Sequence, residues 1–174
     1  TTPQRRNLIL NSQAKDLVYD LWPMAMTMNS FSFGFKKLFA NIHRDNELWQ
    51  KEQCLNTVIN STDSLIWFKD KQGAHLRVND NFCKAVNKTH EQIQGRGHFY
   101  IWDLTPEDYQ AGEYICMESE IEVMDKGERC LFDEQVKIGD ELHYLKTYKS
   151  PLFDLDGTVM GTCGVAADIS NEIF

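Results

Sequence analysis

Three candidate β-strands lie at the C-terminal end of the sequence, and the turns that separate them are too short to let neighbouring strands run parallel. The segments run from Cys130 to Ile138, from Leu142 to Phe153 and from Val159 to Ala167. Turn-forming residues lie between them at Gly139-Asp140 and at Asp154–Gly157. A parallel pair needs a crossover of a dozen or more residues. The three segments are therefore predicted to form an antiparallel meander.

A second strand signal lies near the middle of the chain. The apolar run from Leu65 to Phe68 and the alternating segment from His75 to Val78 flank a turn at Asp70–Gly73, which predicts a β-hairpin. Short helices are expected between this hairpin and the meander, the last from Pro106 to Lys126, either continuous or with a break near Gly112. The predicted fold class is α+β, a five-stranded antiparallel sheet with short helices on one face, preceded by N-terminal helices.

Local signals fix several boundaries of these elements. Asn79 is placed to cap a helix that begins near Phe82. Thr89 and Gln92 have the spacing of a capping box. Gly127 is expected to end the long helix. Pro151 interrupts the second strand of the meander, so we expect it at an edge or a bulge, where no ladder donor is needed.

The N-terminal third carries apolar residues at alternating steps of four and three, the seam of a heptad repeat. The seam consists of Leu10, Ala14, Leu17, Leu21, Met24, Met28, Phe31, Phe35, Leu38 and Ile42, and a shifted stripe of Leu48, Leu55 and Ile59 follows it. One interpretation is a long helix, kinked at Pro23, that pairs with its twin in a homodimer. The other, slightly favoured, is a bundle of two or three short helices with breaks near Trp22-Pro23 and Arg44-Asp45. A third alternative is that the stripe packs on its own domain.

The order of elements from residue 60 onward resembles a PAS domain, the sensory box of bacterial signalling proteins. The resemblance rests on several short motifs in the expected order, and each of them is weak by itself. They are Trp67-Phe68-Lys69-Asp70-Lys71-x-Gly73, Val78-Asn79-x-x-Phe82-Cys83, Gly95, Lys149-Ser150-Pro151-Leu152-Phe153-Asp154-x-Asp156-Gly157-x-Val159-x-Gly161 and Ala167-Asp168-Ile169-Ser170.

The resemblance implies a division into a helical dimerisation and signal segment, residues 1–60, and a sensor domain, residues 61–174. The last motif is similar to the Asp-Ile-Thr end motif of PAS domains, with serine for threonine. In that family it passes signals to a following output domain, which makes Asp168 the candidate relay residue. Because the chain stops at Phe174, we expect a longer signalling protein with a diguanylate cyclase (GGDEF-type) or histidine kinase output domain.

A PAS pocket lies between the sheet and its helices, and such clefts are mostly apolar with a few polar groups. The same aromatic density is also typical of a filled core. The candidate ligand-binding residues are Phe68, Phe99, Tyr100, Trp102, Tyr109, Tyr114, Met117, Ile121, Tyr144, Lys146, Tyr148 and Cys163.

The bound group is unknown from the sequence, and a small metabolite is the favoured class. Haem is disfavoured because the predicted long helix has no histidine, and His90 and His98 are expected at the surface. A light-oxygen-voltage flavin site is disfavoured because Gly95–Tyr100 contains no cysteine. Acidic neighbours disfavour a reactive thiol at Cys116, and Cys163 is the other candidate for redox sensing.

Charge and cysteine content narrow the range of partners and cellular compartments that we expect for this chain. Residues 61–174 carry eleven Lys/Arg against twenty-one Asp/Glu, and so acidic a domain repels phosphate backbones. Five cysteines without a C-x-x-C pair indicate free thiols in a reducing cytoplasm, with no zinc site. No run of eighteen apolar residues is present to span a membrane.

No catalytic set is evident either. Three glutamates, Glu118, Glu120 and Glu122, are interpreted as the solvated face of a helix whose other side carries Met117, Ile121 and Met124. The sequence thus predicts a non-catalytic sensor that binds a small ligand and relays a signal. The alternative is a dimerisation or protein-interaction module without a ligand.

Overall fold

A five-stranded antiparallel sheet organises the C-terminal part of the chain. The computed structural model describes residues 33–105, 107 and 119–173. The strands are β1 (Leu65–Asp70), β2 (His75–Val78), β3 (Cys130–Ile138), β4 (Glu141–Phe153) and β5 (Val159–Asp168). They lie in the order β2-β1-β5-β4-β3, and every pair is antiparallel. The predicted hairpin, meander and α+β class are confirmed.

The last strand, β5, lies in the middle of the sheet and joins the hairpin to the rest of the meander. Strand β5 pairs with β1 on one side and β4 on the other, and Leu65 at the start of β1 is opposite Ala166 at the end of β5. Pro151 lies where β4 has passed the end of β3, so its missing N–H costs no ladder bond to that strand. A register shift follows at Leu152/Phe153. The expected edge position of Pro151 is confirmed.

Six helices belong to the described part of the chain: α1 (Phe33–Asn60), α2 (Asp80–Val86), α3 (His90–Ile93), α4 (His98–Ile101), α5 (Glu120–Lys126) and α6 (Ser170–Ile173). The capping box of Thr89 and Gln92 is present at α3. Gly127 ends α5 with φ of 67°, a left-handed conformation that glycine adopts without strain. Of the helix predicted from Pro106 to Lys126, the structure describes residue 107 and residues 119–126. Ser119 is not helical, so α5 is a separate helix that begins at Glu120.

The side chain of Asn79 links three elements, α1, β1 and α2, by hydrogen bonds. Its carboxamide oxygen accepts from the amides of Ile66 and Phe82, both at 3.0 Å. Its amide nitrogen donates to the carbonyl of Ile59 at 2.9 Å and of Ser64 at 2.8 Å. The side chain is fully buried. The predicted cap therefore also fixes the end of α1 against the first strand.

The main apolar core lies between the sheet and α2–α4. Its largest members include Trp67, Phe82 and Ile101. Gly164 faces the indole of Trp67 so closely that an added Cβ would lie 2.2 Å from the ring. This contact explains why β5 carries glycine at that position.

Helix α1 runs without a break through Arg44 and Asp45, so the expected break there is wrong. The segment from Lys36 to Asn60 contains neither proline nor glycine, and nothing local interrupts its hydrogen bonds. The expected break at Trp22-Pro23, and the seam from Leu10 to Phe31, lie outside the described residues. The chain divides into two units between Thr57 and Val58. No described helix is long and apolar enough to cross a membrane.

Candidate ligand-binding site

A small cavity lies between the sheet and the helices that cover it. Its volume is about 10 Å³, which is of the order of one water molecule. Aromatic and ionisable side chains share its wall. They are Trp67, Lys69, His75, Phe82, His98, Trp102, Glu120 and Lys149. Five of these eight side chains are ionisable, so the wall is more polar than the mostly apolar wall that is typical of ligand sites.

Two lysines and two glutamates form a buried charge network at this cavity. Lys69 Nζ lies 3.1 Å from Glu120 Oε1, and Lys149 Nζ lies 3.6 Å from the same oxygen. Lys149 also donates to Glu134 Oε1 and to Ser119 Oγ, both at 2.8 Å. The four charged side chains are each no more than 3% exposed. Charges buried this deeply are stable only when they are paired, and here each buried ammonium group lies beside a buried carboxylate.

The network holds Glu120 in its ionised form. Burial raises the pKa of this carboxyl, but the ammonium groups of Lys69 and Lys149 and a hydrogen bond from Lys69 outweigh it and bring the pKa down to about 2. Two neighbouring histidines, His75 and His98, also have a lowered pKa. Burial and the charge of Lys69 bring the pKa of His75 to about 4 and that of His98 to about 3. Both imidazoles are therefore neutral at pH 7.

Several polar atoms in this region find no hydrogen-bond partner among the described residues. They are Oε2 of Glu120, Oε2 of Glu134 and the hydroxyl groups of Thr147 and Thr162. Buried polar atoms without a partner are rare, and they usually indicate water, an ion or a ligand. The helix-facing surface of the sheet thus has unused hydrogen-bonding capacity.

Trp102 is the one predicted residue that lines the cavity in the described part of the chain. Its ring meets Phe82 edge-on at 6.0 Å. The neighbouring Phe99 and Tyr100 are 42% and 43% exposed, and Tyr100 packs below Arg96 at 5.0 Å. Ile121 is 66% exposed on α5. Tyr109, Tyr114 and Met117 lie outside the described residues.

The predicted strand residues lie on the other surface of the sheet. Strand neighbours alternate between faces, and Trp67 and Lys149 face the cavity. Phe68, Tyr148 and Cys163 therefore face away, as do two more predicted residues, Tyr144 and Lys146. The structure does not bring these five together with Trp102, and ligand contact by them stays a prediction. Burial raises the pKa of the Cys163 thiol to about 11, which opposes redox reactivity there.

Two expectations about the surface are wrong. The glutamate pattern predicts Glu120 on a solvated face and Ile121 on the buried side, but Glu120 is 3% exposed and Val123 is the buried apolar residue of α5. His98 was expected at the surface and is buried. The ammonium groups of Lys69 and Lys149 draw the Glu120 carboxylate into the interior, because buried charges need a partner of opposite sign. His98 can be buried there because its imidazole is neutral. The sequence signal that could have indicated this polar interior is Lys69, which is two positions after Trp67 and therefore on the same face of β1.

The end motif forms a compact hydrogen-bonded unit where β5 leaves the sheet. Asp168 Oδ1 accepts from the amide of Ser170 at 2.9 Å and from its hydroxyl at 2.6 Å. The other oxygen, Oδ2, lies 2.6 Å from His143 Nδ1 on β4. Ser170 Oγ in turn accepts from the amide of Tyr144 at 2.9 Å. Asp168 thus joins two strands to α6.

Other kinds of site find little support. In the part of the chain that the structure describes, no three metal-binding side chains cluster. Cys54, Cys83, Cys130 and Cys163 are free thiols. The charge network is the strongest candidate site among the residues described.

Comparison with solved structures finds the same fold in several proteins. A PAS domain from Colwellia psychrerythraea matches with a TM-score of 0.52 and 16% identity, over 71% of this chain and 98% of that chain. The VqmA dimer of Vibrio cholerae matches with a TM-score of 0.55 and 17% identity, over 69% of this chain and 52% of that chain. A phage VqmA–DPO complex matches with a TM-score of 0.53 and 15% identity, over 76% of this chain and 58% of that chain. The chain thus spans about half the length of these VqmA chains. At such identities the likeness concerns the fold alone.

A search of curated proteins found no match. A family model described as PAS fold matches residues 59–173, about two-thirds of the chain. The match covers all five strands, the charge network and the Asp168 unit. The chain therefore belongs to the PAS fold family.

Proposed function

We propose that this chain is a signal-sensing module that binds a small ligand between the sheet and α2–α5. The observation that carries the proposal is the buried network of Lys69, Lys149, Glu120 and Glu134 with its unpartnered carboxylate oxygens. A core built only for stability would gain more from apolar residues of similar size. The phage VqmA of similar fold is in complex with DPO, and we propose that this chain also binds a small ligand.

The relay step is assigned to Asp168. A ligand that alters the helix-facing surface of β4 and β5 acts on the strands to which His143 and Asp168 belong. The hydrogen bonds of Asp168 to Ser170 then transfer that change to α6. The recipient is a C-terminal output domain, for which a diguanylate cyclase or a histidine kinase remains the proposal. Localisation in the cytoplasm and the absence of nucleic-acid binding stay predictions.

Ligand binding is tested by native mass spectrometry of freshly purified protein, followed by thermal-shift screening with small metabolites. We expect added mass or a stabilising compound. Trp102→Leu should abolish the shift, because Trp102 lines the cavity. Phe99→Leu is the matched control on the same turn, because Phe99 is exposed and does not line the cavity. No bound mass and no stabilising compound would refute the sensor proposal.

A second role, homodimer formation, is supported by a different observation. Helix α1 exposes Leu48, Trp49, Leu55 and Val58, of which Val58 is 65% exposed. Exposed apolar residues repeated along one helix are typical of helix pairing. Sedimentation of the Leu48→Glu/Leu55→Glu variant should give a monomer where the parent chain gives a dimer. A monomeric parent chain at high concentration would refute this role.

A further inference from the structure

The cavity has no room for a ligand while all the wall residues keep their places. Its volume, about 10 Å³, is of the order of one water. A larger occupant must therefore take the place of a side chain. The charged groups of the wall differ in how they are held. Lys69 and Lys149 are on sheet strands, whereas Glu120 is at the first position of α5, a helix of seven residues.

Only one of the two carboxylate oxygens of Glu120 has a partner among the described residues. Its Oε1 is shared by the two ammonium groups, at 3.1 Å and 3.6 Å. Its Oε2 has no hydrogen-bond partner among the described residues, although the side chain is 3% exposed. A carboxylate that used both oxygens would make a better-satisfied contact in the same place.

We propose that the space between Lys69 and Lys149 is a carboxylate-binding site, that Glu120 is its internal occupant, and that the ligand of this sensor is a small carboxylate that displaces Glu120. The inference rests on the proposed sensor function and names its ligand class. The side chain of Glu120 beyond its Cα has the size of propionate. A short aliphatic carboxylate fits the space that Glu120 leaves.

Charge balance favours an anion over a neutral or cationic ligand. With a bound carboxylate, the two lysines face Glu134 and the ligand, so the sum of charges is unchanged. His75 and His98 contribute no positive charge at pH 7, because burial keeps them neutral. A neutral ligand that displaced Glu120 would take a negative charge away from two buried ammonium groups, which is costly.

Displacement also gives the site a means of signalling. Glu120 and Ser119 hold the start of α5 to Lys149 on β4. When a ligand carboxylate replaces Glu120, the start of α5 loses its charged attachment to β1 and β4. Binding is thereby coupled to a change in the helix that covers the sheet. The tethered Glu120 competes as an intramolecular carboxylate at a high effective concentration, so the parent chain binds propionate weakly.

The test uses the full chain and sodium propionate as the probe, with thermal unfolding as the measurement. Glu120→Ala removes the internal competitor and opens the space. At propionate ten times above its Kd, this variant should gain about 5 °C in Tm. Sodium chloride at the same ionic strength and neutral propionamide should give no such gain. Glu122→Ala, an exposed neighbour on the same helix, should respond like the parent chain.

A second variant covers the case in which Glu120→Ala does not fold. Glu120→Gln keeps the size of the side chain but weakens its hold on the lysines, so it should bind propionate more tightly than the parent chain does in calorimetry. The inference is overturned if propionate shifts all variants alike, or if propionamide works as well as propionate. Stabilisation of the parent chain by neutral compounds alone, lost in Trp102→Leu, would refute the carboxylate class and leave the sensor proposal standing.

Discussion

Replacing Lys149 with methionine removes one buried ammonium group and keeps nearly the same side-chain length. Glu134 Oε1 and Ser119 Oγ each lose a donor at 2.8 Å, and Glu120 keeps only Lys69. Glu134 is the group most affected, because its other oxygen already has no partner among the described residues. Loss of one partner of a buried ion pair costs about 3–5 kcal/mol. The free energy of unfolding should fall by that amount.

The measurement is urea unfolding followed by circular dichroism and tryptophan fluorescence, with a Tm decrease of roughly 10 °C as a second readout. Lys126→Met is the matched control, because Lys126 forms an ion pair with Glu122 that is about half exposed. Such exposed pairs contribute about 0–1 kcal/mol. Lys149→Met combined with Glu134→Gln should show coupling of about 1–3 kcal/mol. A loss below about 1 kcal/mol for Lys149→Met would refute the importance of the network.

Three further predictions concern the same domain. Between pH 6.5 and about 4 the free energy of unfolding should fall with acidification, because His75 and His98 take up a proton in the unfolded chain before they do so in the folded one. His75→Gln should reduce this slope in pH-dependent urea titrations, and an unchanged slope would contradict the reasoning. Asn79→Ala should cost about 3 kcal/mol or more in urea unfolding, because four backbone groups, three of them in buried hydrogen bonds, lose their partner. Gly164→Ala should cost about 1–3 kcal/mol through overlap with Trp67, whereas Gly97→Ala, with open space around it, should leave the Tm nearly unchanged; equal effects of the two would refute the packing argument.

The sheet could be predicted because its signals are local. Turn residues at Gly139-Asp140 separate β3 from β4, and the Asp70–Gly73 turn separates β1 from β2. The caps at Asn79 and Thr89 follow from three-residue spacings. Each of these features is determined by residues within a few positions of one another, so the sequence carries them directly.

The site could be predicted only in part, because its groups are far apart along the chain. In β4 tyrosines alternate with Leu145, Thr147 and Lys149, and hydrophobicity favours turning the tyrosines inward. The structure turns Lys149 inward, because Glu134 and Glu120 meet it there from β3 and α5. The partners are 15 and 29 positions away. Local alternation therefore cannot say which face is buried.

The register of β1 with β5 has a consequence for how such a domain is joined to others. Leu65 begins β1 directly opposite Ala166, near the end of β5, so the chain comes into the sheet and departs from it on neighbouring central strands. Domains whose two termini lie close together tolerate insertion into a host protein. Residues 59–173 should therefore work as a cassette that can be placed in a surface loop of a reporter enzyme, where ligand binding becomes a change in reporter activity.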